Sequence, residues 1–323
     1  MKTYVISLNT PTKLLNILYN YNFKPILSNG VNGKIINLDT IKHHFNSLWF
    51  IIGPSSALGC AISHLNVWKQ FIKTKQKHCL ILEDDVIFET SFSKQKIKQI
   101  ILNTPKNFDI LYLGCFDSPI FTFLMSILSM NKTSLSKKKE NTNLVHDTNV
   151  SLATHSYILS RKGAKKLIKL LDGTIHNHID FCIQKLNKNK QIHSYTVNTK
   201  IVHQTSTDAN YSIEKSISTN IVNSHPILFQ NILSKYYIDK HVSLDYIFSV
   251  SFIQIGQFTF NLTSIIFVLI GILGIFYKNV HSTLIILIYL FVSLPDILRY
   301  NFKSIFLHFL LLISPRLIKN SLT

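Results

Sequence analysis

The feature that most constrains the fold is a short apolar run that ends at three consecutive acids. The run from Cys79 to Leu82 contains only apolar residues, and Glu83, Asp84 and Asp85 follow it directly. A short run that is apolar at every position is typical of a central strand whose two faces are both covered. Adjacent carboxylates repel one another, so the acids belong where water or a cation can meet them.

Strand-like and helical patterns alternate on both sides of this run. The patterns predict strands at Tyr4–Leu8, Ile35–Leu38 and Asp109–Gly114. A helix is predicted at Pro11–Tyr21, and an apolar stripe predicts another at Ile62–Ile72. Such alternation favours an α/β domain with a mainly parallel central sheet.

Two segments that each contain a carboxylate lie at the ends of predicted strands, and they mark the expected site. Glu83–Asp85 and Gly114–Asp117 both lie at carboxyl ends of strands, where ligands of such sheets collect. Glu83 and Asp85 form an acid-x-acid pattern, and hard divalent cations prefer oxygen ligands. We therefore predict Mn²⁺ or Mg²⁺ on Asp85 and Glu83, with Glu83 and Asp84 beside a diphosphate ligand. Surface acids that bind no metal are the alternative.

The charge balance restricts the choice of partners. Lys and Arg number 34 against 16 Asp and Glu, a formal charge of +18. The lysines are scattered, and no basic stripe is interleaved with aromatic residues, so we expect no nucleic-acid partner. An anionic lipid or a phosphate-bearing substrate fits the same charge. The four cysteines form no CxxC pair, which argues against a cysteine metal cluster and predicts reduced thiols.

The C-terminal part of the chain predicts a hydrophobic helical membrane segment. Phe258–Tyr277 carries no charge and is about as long as the roughly 20 residues that cross a bilayer. Lys278-Asn279 separates it from a second apolar stretch, Val280–Leu294. Basic residues flank both outer ends, which favours a hairpin that returns to the cytoplasmic side. Buried core helices are the alternative. Membrane lipid is therefore an expected partner.

These patterns divide the chain into four predicted parts. They are a catalytic domain at 1–215, a juxtamembrane linker at 216–257, a membrane hairpin at 258–299 and a basic tail at 300–323. The first 18 residues show no pattern of a signal peptide, so we expect a membrane protein whose catalytic domain lies in the cytoplasm.

An ordered series of motifs carries a resemblance to a known family. Gly59–His64, Trp68 and Leu80–Val86 resemble the signature block of glycosyltransferase family 25, which includes bacterial lipooligosaccharide galactosyltransferases and collagen galactosyltransferase domains. Further matching segments occur in the same order, at Val5–Leu8, Gly30–Gly33, Asp109–Gly114, Thr154–Tyr157, Ser160–Ala164, Ile179-Asp180 and Val202–Gln204. The resemblance covers about residues 3 to 215.

The resemblance implies a fold and an activity. The implied fold is a GT-A-like nucleotide-sugar-binding domain. The implied activity is metal-dependent transfer of a hexose from a UDP-hexose, with galactose as the first candidate sugar. The acceptor would be a glycan or glycolipid, as in lipopolysaccharide-type glycan synthesis.

The family's β-linked products imply inversion, which requires a base. Asp180 is the first candidate and Asp117 the second, while a helix N-cap is the structural alternative for Asp180. His64 and His155 would hydrogen-bond the donor or the backbone, or be purely structural.

Two departures from the family pattern support a competing interpretation. The arginines usual after the first strand are absent, with Lys13 the nearest cation, and Asn32 stands where the family usually has Asp. A catalytically degenerate, membrane-anchored binding protein on the same fold is therefore the alternative function. A basic nucleic-acid or lipid adaptor is a more distant one.

Overall fold

The structure, a computed structural model, describes residues 1–115, 144–148, 152–204, 237–239, 242–243, 253–255, 258–260, 262–276, 289–290, 306 and 308–315. The chain divides into two compact units, Met1–Thr205 and Ser206–Thr323, which are described separately.

Strands and helices alternate along much of the first unit, as predicted. The strand predicted at Ile35–Leu38 is wrong, because the second strand lies at Pro25–Asn29 and Leu38 begins a 3-10 turn. The described strands are β1 (Lys2–Ser7), β2 (Pro25–Asn29), β3 (His78–Glu83), β4 (Val86–Phe88), β5 (Ile110–Tyr112), β6 (Val145–Asp147), β7 (Ser156–Ser160), β8 (Ser194–Val197) and β9 (Val202–Gln204). The described helices are α1 (Thr12–Asn20), α2 (Ser47–Ile52), α3 (Ser55–Ile72), α4 (Lys94–Asn103), α5 (Arg161–Leu171) and α6 (Ile179–Lys188), and two short 3-10 turns lie at Leu38–Thr40 and Lys42–His44.

One mixed sheet forms the centre of this unit, which confirms the α/β prediction. Within the described residues it has seven strands in the order β2-β1-β3-β7-β5-β8-β6. Strands β1, β2, β3, β5 and β8 run in one direction, and β7 and β6 run in the other. The sheet is therefore mostly parallel, with one reversed strand inside it and one at its edge.

The burial of β3 explains why its sequence is apolar at every position. Alternate side chains of a strand point to opposite faces of a sheet. Ile81 belongs to the hydrophobic core that contains α3, α5 and α6, while Leu80 and Leu82 belong to the core that contains α1 and α4. Both faces are thus covered, and all three side chains have 0% exposure.

The turn after β2 packs backbone to backbone against the start of α3. A Cβ atom on Gly33 would lie 1.6 Å from the carbonyl oxygen of Ser55, and one on Gly59 would lie 2.3 Å from the carbonyl oxygen of Val31. The backbone N–H of Val31 also donates to Oγ of Ser63 at 2.8 Å. These two glycines are required because only hydrogen fits between the two backbones.

We expect Gly59→Ala to destabilise the first unit by about 1–3 kcal/mol, because backbone atoms cannot rotate away from the added methyl group. The higher helix propensity of Ala would offset about 1 kcal/mol of the clash. The free energy of unfolding in urea measures the loss. Ser56→Ala, at an exposed position of the same helix, is the control, and equal stability of the two variants would contradict the packing argument.

The described residues of the second unit include two antiparallel strand pairs and apolar helical segments. Strands β10 (Tyr237–Asp239) and β11 (Val242–Ser243) pair, as do β12 (Ile253–Ile255) and β13 (Phe258–Phe260). Helix α7 (Leu262–Phe276) follows, and a Cβ atom on Gly271 would lie 2.4 Å from the carbonyl oxygen of Leu312, in the helical segment 308–315.

The predicted membrane hairpin at 258–299 differs from the described structure at its start. Phe258–Phe260 forms a strand, in keeping with the β propensity of aromatic and β-branched residues, so the helix begins at Leu262. Among the described residues, no helix combines the length and apolar character needed to cross a bilayer. Most of the predicted second half of the hairpin lies outside the described residues.

Candidate active site

The acidic triplet lies at the edge of the sheet where several strands end. Strands β1, β3 and β5 are parallel, so their carboxyl ends meet at this edge, and the reversed strand β7 begins there. Glu83 is the last residue of β3, and Asp84 and Asp85 form the turn into β4. The predicted position of the triplet is therefore confirmed by the topology of the sheet.

Glu83 receives two side-chain hydrogen bonds on a single oxygen. Its Oε1 lies 3.1 Å from Nε2 of His64 and accepts from the Thr154 hydroxyl at 2.9 Å. Burial alone would raise the pKa of Glu83. The hydrogen bonds from His64 and from the Thr154 hydroxyl favour the ionised form and outweigh burial, so the pKa lies below its ordinary value. Glu83 is thus an ionised carboxylate whose side chain keeps 21% exposure.

A buried chain of hydrogen bonds orients His64 behind Glu83. The indole N–H of Trp68 donates to the Tyr157 hydroxyl at 2.8 Å, and that hydroxyl lies 2.9 Å from Nδ1 of His64. Since the phenolic oxygen accepts from Trp68, its hydrogen is available to Nδ1, which leaves the ring proton on Nε2 to face Glu83. All three rings are fully buried or nearly so. His64 therefore positions the carboxylate from the interior of the fold.

Asp84 and Asp85 are fixed by two other strands. The hydroxyl of Ser7, at the end of β1, donates to Oδ2 of Asp84 at 2.5 Å. The side-chain amide of Gln204, in β9, donates to Oδ2 of Asp85 at 2.8 Å. Asp84 is exposed and Asp85 half-buried. The oxygen chemistry of these carboxylates suits a hard divalent cation, although among the described residues the triplet does not form a group of three converging ligands.

Asp180 lies in the first turn of α6 and holds a strained turn before β7. His178 is the N-cap of this helix, so the N-cap interpretation of Asp180 is wrong. Its Oδ1 accepts from the backbone N–H of Phe181 at 2.8 Å, and its Oδ2 accepts from the backbone N–H of Ala153 at 3.0 Å. Ala153 has φ of +74°, in the left-handed region, and precedes Thr154.

Electrostatics link Asp180 to the acidic triplet through the thiol of Cys60. Burial raises the pKa of Cys60 well above its ordinary value, and the carboxylates of Glu83, Asp180 and Asp85 raise it further. All four cysteines of the chain lie in the described residues, where none is in a disulfide bond.

The other candidates are placed differently. His155 is 2% exposed, and a Cβ atom on Gly114 would lie 2.6 Å from its Nε2, so the ring is packed inside the fold behind Glu83. The backbone N–H of Glu83 donates to the carbonyl oxygen of His155 at 2.9 Å. These contacts favour the structural role for His155. Asp117 lies outside the described residues.

We expect the stability of the first unit to fall as the pH is lowered, because His155 is buried as a neutral ring. Burial is the main cause that lowers the pKa of His155 from 6.5 to about 4. Between these values the unfolded chain binds a proton that the native chain does not, so the free energy of unfolding rises with pH and falls on acidification. From about pH 6.5 to about pH 5 the loss is about 2 kcal/mol.

Urea unfolding at a series of pH values measures this slope. His155→Gln, whose amide can still donate a hydrogen bond, should flatten it, and His43→Gln at an exposed position should not. Burial also lowers the pKa of His308, in the second unit, to about 4, so His308 adds the same pH dependence to the wild type and to both variants. The contribution of His155 is therefore the difference between the slope of the wild type and that of His155→Gln. Equal slopes in wild type and His155→Gln would contradict the assignment.

Several residues of the site were not predicted as site residues from the sequence. Thr154 and Tyr157 matched the family only as parts of a motif, and no single-residue signal pointed to Gln204. Cys60 was interpreted only as a reduced thiol. The available signal was its spacing of four residues from His64 on a predicted helix, which places both side chains on one face.

The comparisons with known proteins agree with the geometry. The profile of glycosyltransferase family 25 (LPS biosynthesis protein) matches residues 1–183, a segment that contains the acidic triplet, α3 and Asp180. The chain is similar to a glycosyltransferase 25 family member of Drosophila melanogaster, with 32% identity over 114 residues, 34% of this chain and 16% of that protein. It is also similar to procollagen galactosyltransferase 2 of Homo sapiens, with 26% identity over 166 residues, 48% of this chain and 25% of that protein.

A third relative has a name that describes it as inactive. It is the "Probable inactive glycosyltransferase 25 family member 3" of Rattus norvegicus, with 25% identity over 127 residues, 35% of this chain and 22% of that protein. The chain thus matches a quarter or less of the length of each of these three relatives. The family profile, in contrast, covers more than half of the chain, from β1 into α6. The chain therefore belongs to glycosyltransferase family 25.

Proposed function

We propose that the chain transfers a hexose from a UDP-hexose to a glycan or glycolipid, with Mn²⁺ or Mg²⁺ at the acidic triplet. Galactose is the first candidate for the transferred sugar. One observation carries the proposal. In this family 25 chain, each of the three carboxylates at the end of β3 has its own hydrogen-bond partners. Glu83 is bonded to His64 and Thr154, Asp84 to Ser7, and Asp85 to Gln204. Carboxylates held in this way at an open sheet edge can supply oxygen ligands to a divalent cation.

The chemistry of the proposed site follows from these residues. Glu83 and Asp85 would hold the cation, which when bound supplies positive charge to the leaving nucleoside diphosphate. Asp180 would take the proton of the acceptor hydroxyl, as inversion requires. Its half-buried carboxylate in the first turn of α6 supports this role.

Release of nucleoside diphosphate tests the proposal. The full chain is incubated with a panel of UDP-, GDP- and ADP-sugars, with Mn²⁺, with Mg²⁺ and with excess chelator. We expect release from a UDP-hexose that depends on the metal and increases when a glycan acceptor is present. Equal release of nucleoside diphosphate in excess chelator would contradict the proposed metal requirement. Release from a different nucleotide sugar would replace the UDP-hexose as the proposed donor.

A catalytically degenerate binding protein is the second candidate function. The position of Asn32 favours it, since the Oδ1 atom accepts from the backbone N–H of Lys34 at 3.0 Å and serves a local turn. Lys13, the nearest cation after the first strand in the sequence, is an exposed residue of α1. The name of the rat relative supports the same candidate. Saturable binding of a nucleotide sugar by calorimetry, without turnover of any donor in the panel, would favour it.

Membrane attachment of the second unit is part of the proposal, with the catalytic unit on the cytoplasmic side. Helix α7 contains no charged residue and exposes Leu269 and Leu273 by 52% and 55%. Residues 306, 309 and 310 are also apolar and exposed. Large exposed apolar surface of this kind is typical of a membrane or protein contact.

We expect Leu269→Glu with Leu273→Glu to lower the binding of the full chain to lipid vesicles by at least about tenfold, because each leucine contributes about 1–2 kcal/mol when buried in the bilayer. Vesicle flotation measures the effect. Leu48→Glu with Leu102→Glu, at positions 64% and 76% exposed in the first unit, is the matched control. Release of the wild-type chain from membranes by high salt alone would contradict apolar attachment.

A further inference from the structure

Three side chains with metal-binding atoms converge where α3 meets the end of β3. The thiol of Cys60, the imidazole of His64 and the carboxylate of Glu83 each offer a ligand atom within 4.8 Å of the other two. Cys60 and His64 are four residues apart in α3, so consecutive turns present them on one face. Glu83 faces them from the neighbouring strand.

We propose that Cys60, His64 and Glu83 form a binding site for a soft divalent cation of the Zn²⁺ class. Thiolate, imidazole and carboxylate are the protein ligands of zinc. Sulfur and nitrogen ligands favour Zn²⁺ over Mg²⁺ and Mn²⁺, which prefer oxygen. The site thus differs in its chemistry from the all-oxygen acidic triplet, although the two share Glu83.

The distance between the imidazole and the carboxylate fits a tetrahedral ion, and the thiol lies within 4.8 Å of both. With bonds of about 2.0–2.1 Å to nitrogen and oxygen, two such ligand atoms of a tetrahedral zinc site lie about 3.3 Å apart. Nε2 of His64 and Oε1 of Glu83 are 3.1 Å apart, so a small movement suffices to admit the ion. Cys60 supplies the third ligand, and a water molecule can supply the fourth. Cys60 is half-buried and Glu83 is 21% exposed, which gives the ion a route from solvent.

The surroundings of His64 are those of an oriented metal ligand. Metal-binding histidines generally have their second ring nitrogen fixed by a hydrogen bond, and loss of that bond costs about 10–100-fold in affinity. Here Nδ1 is fixed by the Tyr157 hydroxyl, which is itself fixed by Trp68. When the cation binds, the ring proton moves from Nε2 to Nδ1, and the thiol proton of Cys60 leaves to solvent. One proton is therefore released for each ion bound.

Sharing of Glu83 has a consequence for the proposed transferase. A soft cation on Cys60 and His64 would withdraw Glu83 from the acidic triplet, so Zn²⁺ would inhibit metal-dependent transfer. This consequence rests on the proposed function. The binding itself does not, and it is tested without an activity assay.

Titration of the metal-free full chain with Cd²⁺ tests the binding. Cd²⁺ stands in for Zn²⁺ because its thiolate complexes have an ultraviolet charge-transfer band. We expect the band to saturate at one equivalent and to be reversed by Zn²⁺ but not by Mg²⁺. Cys60→Ser should abolish it, and Tyr157→Phe should weaken binding by at least about tenfold. Cys182→Ser is the matched control, since this buried thiol lies outside the cluster.

The wild-type protein provides a second measurement that needs no variant. Saturating Zn²⁺ should slow the alkylation of Cys60 by iodoacetamide at least tenfold, as read from the mass of its peptide. A Cd²⁺ band that persists in folded Cys60→Ser would overturn the proposal. An unchanged rate of Cys60 alkylation with Zn²⁺ would overturn it as well, even if the serine variant failed to fold. Neither result depends on whether the chain transfers a sugar.

Discussion

Asp85→Asn is expected to reduce metal-dependent donor turnover by at least about a hundredfold while the fold remains intact. The substitution removes a negative charge from the acidic triplet but keeps the shape of the side chain and an oxygen that can accept from Gln204. A metal ion contributes several kcal/mol of charge stabilisation, and about 1.4 kcal/mol corresponds to a factor of ten in rate. Initial rates of nucleoside diphosphate release at saturating donor measure the loss.

Two controls make this result specific. Asp39→Asn removes a carboxylate whose side chain is 80% exposed in a surface ion pair with Lys42, and its turnover should equal that of wild type. Circular dichroism and thermal unfolding establish that Asp85→Asn is folded. Full turnover by folded Asp85→Asn, or by the wild type in excess chelator, would remove the metal from the proposed mechanism.

Asp180→Asn is expected to reduce transfer to an acceptor by about 10²–10⁴-fold and to leave donor affinity nearly unchanged. A base acts on the acceptor hydroxyl, so its loss affects kcat for transfer and not nucleotide binding. The structure adds a complication, because both carboxylate oxygens accept backbone N–H groups. The amide nitrogen of asparagine must face one of these donors, so the turn at Ala153 would also be disturbed.

A substitution at Ala153 can separate the loss of the base from the disturbance of the backbone at this position. Ala153→Gly relieves the positive φ, since glycine adopts this region without strain. Transfer is compared in the wild type, each single variant and the double variant. If the base role is correct, Asp180→Asn remains defective in the Ala153→Gly background. Recovery in the double variant would make Asp180 a positioning residue, and parallel loss of donor affinity would leave Asp117 as the candidate base.

The central features of the fold could be predicted because they depend on local pattern. The apolar run before Glu83 predicted the buried strand β3, and the stripe of apolar residues predicted α3. The direction of β7 could not be predicted, because periodicity identifies a strand but not its neighbours. The strand predicted at Ile35–Leu38 is wrong, and β2 lies at Pro25–Asn29 instead. Proline obscured that strand, although it is tolerated at a sheet edge, where β2 lies.

The candidate site shows the same division between local and distant information. The position of Asp85 at a strand end followed from its own neighbours in the sequence. The contact of Glu83 with His64 depends on the packing of α3 against β3, and the contact of Asp85 with Gln204 joins residues 119 positions apart. Such contacts arise from tertiary packing, so motif resemblance placed these residues in the family without explaining what they contact.

Two rows of side chains along α3 limit which length changes this helix can accept. Gly59 and Ser63 face the turn after β2, while Cys60, His64 and Trp68 extend toward β3 and β7. A helix advances about 100° per residue, so one inserted residue between Gly59 and Trp68 would rotate every later side chain away from its partner. The helix could then keep the glycine contact or the buried contacts that follow it, but not both. Natural insertions and deletions among related chains should therefore lie outside this segment.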